Sequence, residues 1–196
     1  MEPKPSIEVD ERLGQVLLAH ARAAITEHLT GRRLPRPEDP RLDEPGATFV
    51  TLTEEGELRG CIGSVRAQRP LRQDVAENAI AAATRDPRFP PVTADELPLI
   101  RIEVSLLSPL EFLEFRDEED LLAQLRPGID GLMIFSGCNS ATFLPQVWEE
   151  IPNPHHFLAA LKLKAGLDPR RPARNLMAAR YTVAKWKEPL PAGAVQ

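Results

Sequence analysis

Ile100-Arg101-Ile102-Glu103-Val104-Ser105-Leu106-Leu107 alternates apolar and polar side chains, Ile100, Ile102, Val104 and Leu106 against Arg101, Glu103 and Ser105. A period of two over this length predicts a strand with one face in a core. Upstream, Ala47–Leu52 and 58–65 read as a hairpin turning at Glu54-Glu55-Gly56. Helices alternate with these strands irregularly. Leu13, Val16, Leu17, Ala21, Ala24, Ile25 and Leu29 form one stripe, capped by Asp10 and ended by Gly31. A second helix starts near Pro70, with Leu71, Val75, Ala79 and Ala82 inward, and Thr93 with Glu96 suits a capping box. Downstream come a helix over 117–125, a strand pair over 132–135 and 141–144, a helix from Asn153-Pro154 to Gly166, and a last strand over 181–186. No regular βαβ rhythm runs through this order, so the fold class is α+β.

The chain has 196 residues, enough for one ordinary domain or two small lobes. Twenty prolines exclude a long helical bundle. Lys and Arg number 24 against 29 Asp and Glu, a net charge of −5, and aromatics make up 5%. Nucleic-acid binding needs a basic face or stacking aromatics, so both numbers argue against it. No apolar run reaches membrane-spanning length, and the first residues lack a signal peptide's apolar core. With only Cys61 and Cys138 there is no disulfide framework, which predicts a reduced, cytoplasmic protein. P-loop, GxGxxG, HExxH, GxSxG and CxxC motifs are missing, so no cofactor or metal is expected.

The unusual stretch is Leu58-Arg59-Gly60-Cys61-Ile62-Gly63-Ser64. Two glycines around a cysteine weaken a strand unless something must approach it. Regular alternation puts Arg59, Cys61 and Gly63 on one face, where a guanidinium would favour a nucleophilic thiolate. The same spacing suits a small buried cysteine in a tight hairpin. Cys61 is thus the candidate catalytic residue, with Arg59 and Gly63 beside it. Asp86 and Arg88 flank a proline, where they either bind a polar substrate or tie down the loop. Glu103 is either an acid at a cavity or an exposed charge. Gln146 either donates to a ligand or satisfies backbone groups. His155 and His156, adjacent at a helix start, are weaker candidates for a base. Arg170, Arg171, Arg174 and Arg180 read as a solvated face.

These segments carry a resemblance. The 58–64 stretch, together with Phe49-Val50-Thr51-Leu52, Asp86-Pro87-Arg88-Phe89-Pro90-Pro91, 102–109, Phe143-Leu144-Pro145-Gln146-Val147-Trp148 and Lys164-Ala165-Gly166-Leu167, resembles the AMMECR domain family in wording and order. The wording over 142–148 is most similar to the bacterial AmmeMemoRadiSam system protein A branch. Two stretches depart from the pattern: Cys138-Asn139-Ser140 lacks a basic residue and 168–172 lacks an aromatic one.

The resemblance covers residues 10–188 and leaves 1–9 as a flexible tail and 189–196 as a C-terminal tail. It implies two small α+β lobes with antiparallel sheets flanked by short helices, and a cavity between the lobes. It implies no particular reaction. Its partners would be a small polar ligand beside Cys61, or Memo-like and radical S-adenosylmethionine proteins of one pathway. The expected function is ligand binding with thiol chemistry. The alternative is a non-catalytic interaction module.

Overall fold

Asp10 accepts the Leu13 N–H at 2.7 Å and starts α1 (Glu11–Thr30), and Gly31, at φ 72°, closes it by donating to the Glu27 carbonyl. Both caps sit where the sequence puts them. The computed structural model describes residues 7–172 and 175–190. Expectations for Arg174 and for most of both tails lie outside that range. The chain divides into two compact units, Met1–Leu107 with Ala184–Gln196, and Ser108–Val183.

The first unit is built on β2 (Thr48–Glu54), β3 (Glu57–Gly63) and β5 (Ile100–Leu107), preceded by β1 (Pro45–Gly46). β1 pairs with the two-residue β4 (Arg69–Pro70), which leads into α2 (Leu71–Thr84). Pro70 is extended, so it caps α2 from outside and is not its first helical residue. Glu55 and Gly56 both have positive φ, the geometry of a tight hairpin turn. The sheet core face carries Val50, Leu52, Ile100, Ile102, Val104 and Leu106. They pack on Leu13, Leu17, Ala21 and Ile25 of α1 and on Leu71, Val75, Ala79 and Ala82 of α2. Each large aliphatic side chain so buried contributes roughly 1.5–3 kcal/mol before entropy is counted.

The second unit contains β6 (Glu111–Leu113), α3 (Glu118–Gln124), β7 (Gly131–Ser136) and β8 (Asn139–Phe143). After them come α4 (Val147–Glu150), α5 (Pro154–Lys164) and β9 (Met177–Tyr181). Its antiparallel sheet runs β6-β9-β7-β8. Trp148 stacks on Phe157 at 3.7 Å between ring centroids and donates through Nε1 to the Asp130 carbonyl at 2.8 Å. The buried Lys162 donates to Glu118 at 2.8 Å and to the Arg171 carbonyl at 2.7 Å. Tyr181 packs over Gly131, and burial pushes its phenol up to about 12.

Three expectations need correction. The single last strand is two, β9 and β10 (Val183–Lys187), because Ser108 takes both backbone groups of Thr182, donating to its carbonyl and accepting its N–H at 2.9 Å each. The chain leaves one sheet there and enters the other, giving the first unit the order β10-β5-β2-β3. β6 and α4 are too short to register as periodic patterns. Arg180 is not part of a solvated face: it pairs with Glu111 and donates to the Gln124 carbonyl.

Candidate functional site

The turn pairs Glu54 with Glu57, and uninterrupted pairing would set Thr51 opposite Gly60 and Cys61 opposite the core residue Val50. The register shifts after Thr53↔Leu58, however, and Leu52 pairs with Gly60. Arg59 is the extra residue of a β-bulge. One added residue reverses every later side chain. Gly60 therefore faces α2, where a Cβ would lie 2.2 Å from the Ala82 carbonyl oxygen. Cys61 turns to the opposite face, beside Thr51.

On that face Thr51 donates its hydroxyl to the Cys61 sulfur at 3.2 Å, and Thr51 pairs in turn with Glu103 of β5. All three side chains are half-buried. Gly63 shares the face, opposite Phe49, but the Phe49 ring fills the room above it. Arg59 does not join them. Its guanidinium donates to Glu96 at 2.8 Å and to the Pro90 carbonyl at 2.8 Å. That contact, above all, holds the Glu96 carboxyl below its usual range.

The arginine that reaches the Cys61 strand is Arg88. β3 is a sheet edge, and the Cys61 N–H points out of it to Asp86 Oδ2 at 2.9 Å. Arg88 holds both Asp86 oxygens, at 3.0 and 2.7 Å, and lies 3.5 Å from the Cys61 carbonyl. The pair thus ties the loop to the edge and satisfies backbone groups that would otherwise template further strands. Arg88, then the Cys61 and Arg88 N–H groups, hold the buried Asp86 well below the ordinary carboxylate range.

This has a pH consequence. Because Asp86 is more acidic folded than unfolded, its stabilisation is complete above about pH 4 and is lost as pH falls. Asp86→Asn should lower the melting temperature near neutrality and flatten its decline below about pH 4. Asp39, held at about 2 chiefly by Arg41, supplies acid sensitivity that remains. Melts from about pH 7 to about pH 2 check this, and an unchanged acid slope in the variant would refute it.

Gln146 is exposed ahead of α4, in the second unit, and its carbonyl accepts the Glu149 N–H. His155 is exposed and pairs with Glu119 at 3.5 Å. Lys164 donates to the Thr142 carbonyl and sits over the Phe143 ring. Among the described residues no group of three or more His, Cys, Asp or Glu could hold a metal ion. A depression of about 430 Å³ in the first unit, lined by Arg22, Leu97, Glu188 and Leu190 among others, includes none of the residues around Cys61.

Sequence reasoning missed Thr51 and a buried cluster around Asp74. Asp74 accepts from the Thr48 N–H and hydroxyl at 2.7 Å each, from Ser64 at 2.8 Å, from Arg69 at 2.9 Å and from Asn78 at 3.0 Å. The available signal was Asp74 and Asn78, two polar residues four apart on the inward stripe of α2.

A family model described as AMMECR1 matches residues 18–186. A protein of Methanothermobacter thermautotrophicus is 43% identical over 160 residues, 80% of this chain and 83% of its own length. Protein MJ0810 of Methanocaldococcus jannaschii is 40% identical over 160 residues, 80% of each chain. The crystal structure of the uncharacterized protein PH0010 from Pyrococcus horikoshii superposes with a TM-score of 0.81 at 35% identity, covering 94% of this chain and 96% of that one. No helix among the described residues is long and apolar enough to cross a membrane.

Proposed function

The chain belongs to the AMMECR1 family, and from that premise we propose that it binds a small polar ligand beside Cys61, on the face of the first sheet that turns away from α1 and α2. The observation that carries this reading is the placement of the thiol. Its backbone is clamped by Asp86 and Arg88, its sulfur is oriented by Thr51, and its side chain is turned away from the core. Thiol chemistry is the finer form of the reading, and the wording over 142–148 supports the AmmeMemoRadiSam system protein A branch.

The test is alkylation of the native protein with iodoacetamide, read peptide by peptide. Cys138, exposed in the β7–β8 turn, is the internal reference for an ordinary thiol. Cys61 should react at least as fast as Cys138, and reaction of Cys61 only after unfolding would overturn the reading. Cys61→Ala changes volume little, so it should stay folded and lose pathway function. A folded Cys61→Ala that keeps that function would favour the interaction module, docking Memo-like and radical S-adenosylmethionine proteins.

A further inference from the structure

The row Cys61–Thr51–Glu103 crosses three adjacent strands on one face. β5 lies between β10 and β2, so Glu103 stands inside the sheet and not at its edge. Four other carboxylates of this unit, each buried or half-buried, hold an arginine: Asp86 with Arg88, Glu96 with Arg59, Glu188 with Arg22 and Asp74 with Arg69. Glu103 is half-buried, yet among the described residues it takes part in no hydrogen bond or ion pair. The hydroxyl opposite it, that of Thr51, is committed to the Cys61 sulfur. A carboxylate partly withdrawn from water and left without a donor attracts a cationic one.

We infer that this row is an amine-binding site, with a ligand ammonium on Glu103 and the body of the ligand lying across Thr51 towards Cys61. The inference rests on the reading that the ligand sits beside Cys61, and it adds the ligand's class. Neighbouring strands lie about 4.8 Å apart, so the Cα atoms of residues 61 and 103 are separated by roughly 10 Å. Both side chains rise from the same face, so a chain of a few carbons would span the distance between an ammonium and the sulfur. An acidic ligand would meet the like charge of Glu103.

The experiment caps Cys61 by disulfide exchange with cystamine, 2-hydroxyethyl disulfide and 3,3′-dithiodipropionate. In each case the Cys61 thiolate attacks one sulfur, a mixed disulfide forms, and the other half leaves as a thiol. The three adducts are compared at equilibrium by mass spectrometry, with Cys138 as the reference in the same molecule. The amine-bearing cap should be favoured at Cys61 about three- to fivefold over the hydroxyl cap, relative to Cys138, and the carboxylate cap should be disfavoured. Glu103→Gln should erase the preference.

Equal ratios at Cys61 and Cys138 would overturn the amine assignment while leaving the accessible thiol intact. A preference that survives Glu103→Gln would overturn the role of Glu103. A Cys61 that takes no cap before unfolding would overturn both this inference and the reading beneath it. Should Glu103→Gln not fold, the wild-type preference is measured against salt, where an ion pair weakens and an unchanged preference refutes the proposal.

Discussion

Gly60→Val is expected to melt far below the wild type or not to fold. A Cβ at this position would lie 2.2 Å from the Ala82 carbonyl oxygen and 3.1 Å from its carbonyl carbon. Both partners are backbone, one in β3 and the other in α2, so no side chain can swing aside. Either the strand leaves its sheet or the helix leaves the core formed with Val50 and Leu52. Overpacking typically costs about 1–3 kcal/mol, and a clash with backbone belongs at or above the top of that range. The β-propensity of valine returns at most about 1 kcal/mol.

Gly60→Ala meets the same oxygen with the same Cβ and should also be strongly destabilised. Gly63→Ala is the contrasting case, because its Cβ would meet the Phe49 ring, a side chain that can turn away. Circular-dichroism melts of the three variants give the order. A Gly60→Val protein melting with the wild type would contradict the approach of β3 to α2.

Asp74→Ala should cost about 3–5 kcal/mol, the range for breaking a buried charged pair. The carboxylate is nearly inaccessible and is the common acceptor for Thr48, Ser64, Arg69 and Asn78. Without it the buried Thr48 N–H and hydroxyl lose an acceptor, and Arg69 keeps only the more exposed Glu77 as its carboxylate. An unsatisfied buried donor costs about 1–3 kcal/mol. Asp74→Asn retains the shape and one acceptor oxygen but not the charge, so it should fall between wild type and alanine. Urea unfolding measures the series, and a loss below about 1 kcal/mol for alanine would show that the cluster adds little.

Much of this architecture is legible locally. Asp10 and Gly31 mark the ends of α1, Asp117 and Asn153 accept the first N–H groups of their helices, and Thr93 with Glu96 closes a capping box. Each is a short-range hydrogen-bonding preference written into adjacent residues. The alternation over 100–107 likewise fixes β5 to the residue, since each apolar side chain needs only one buried face. The candidate site was legible only in part. Cys61 between two glycines could be singled out, but Thr51 could not, because its relation to the sulfur exists only once the strands are paired.

By itself the sequence determined the types of the longer elements, the caps at Asp10, Gly31 and Asn153 and the exceptional nature of the Cys61 segment. Tertiary structure decided which way that segment faces. Pairing outward from Glu54 and Glu57 would turn Cys61 into the core, and the bulge at Arg59 turns it out. Arg59 is held by Pro90 and Glu96, 31 and 37 positions along the chain. Such distant contacts leave no trace in a pattern of period two. For the same reason Arg88, and not the neighbouring Arg59, lies against the Cys61 backbone, and Ser108 divides one apparent strand between two sheets. Alternation and capping are properties of neighbours in sequence, whereas register is set by whichever remote groups satisfy the backbone.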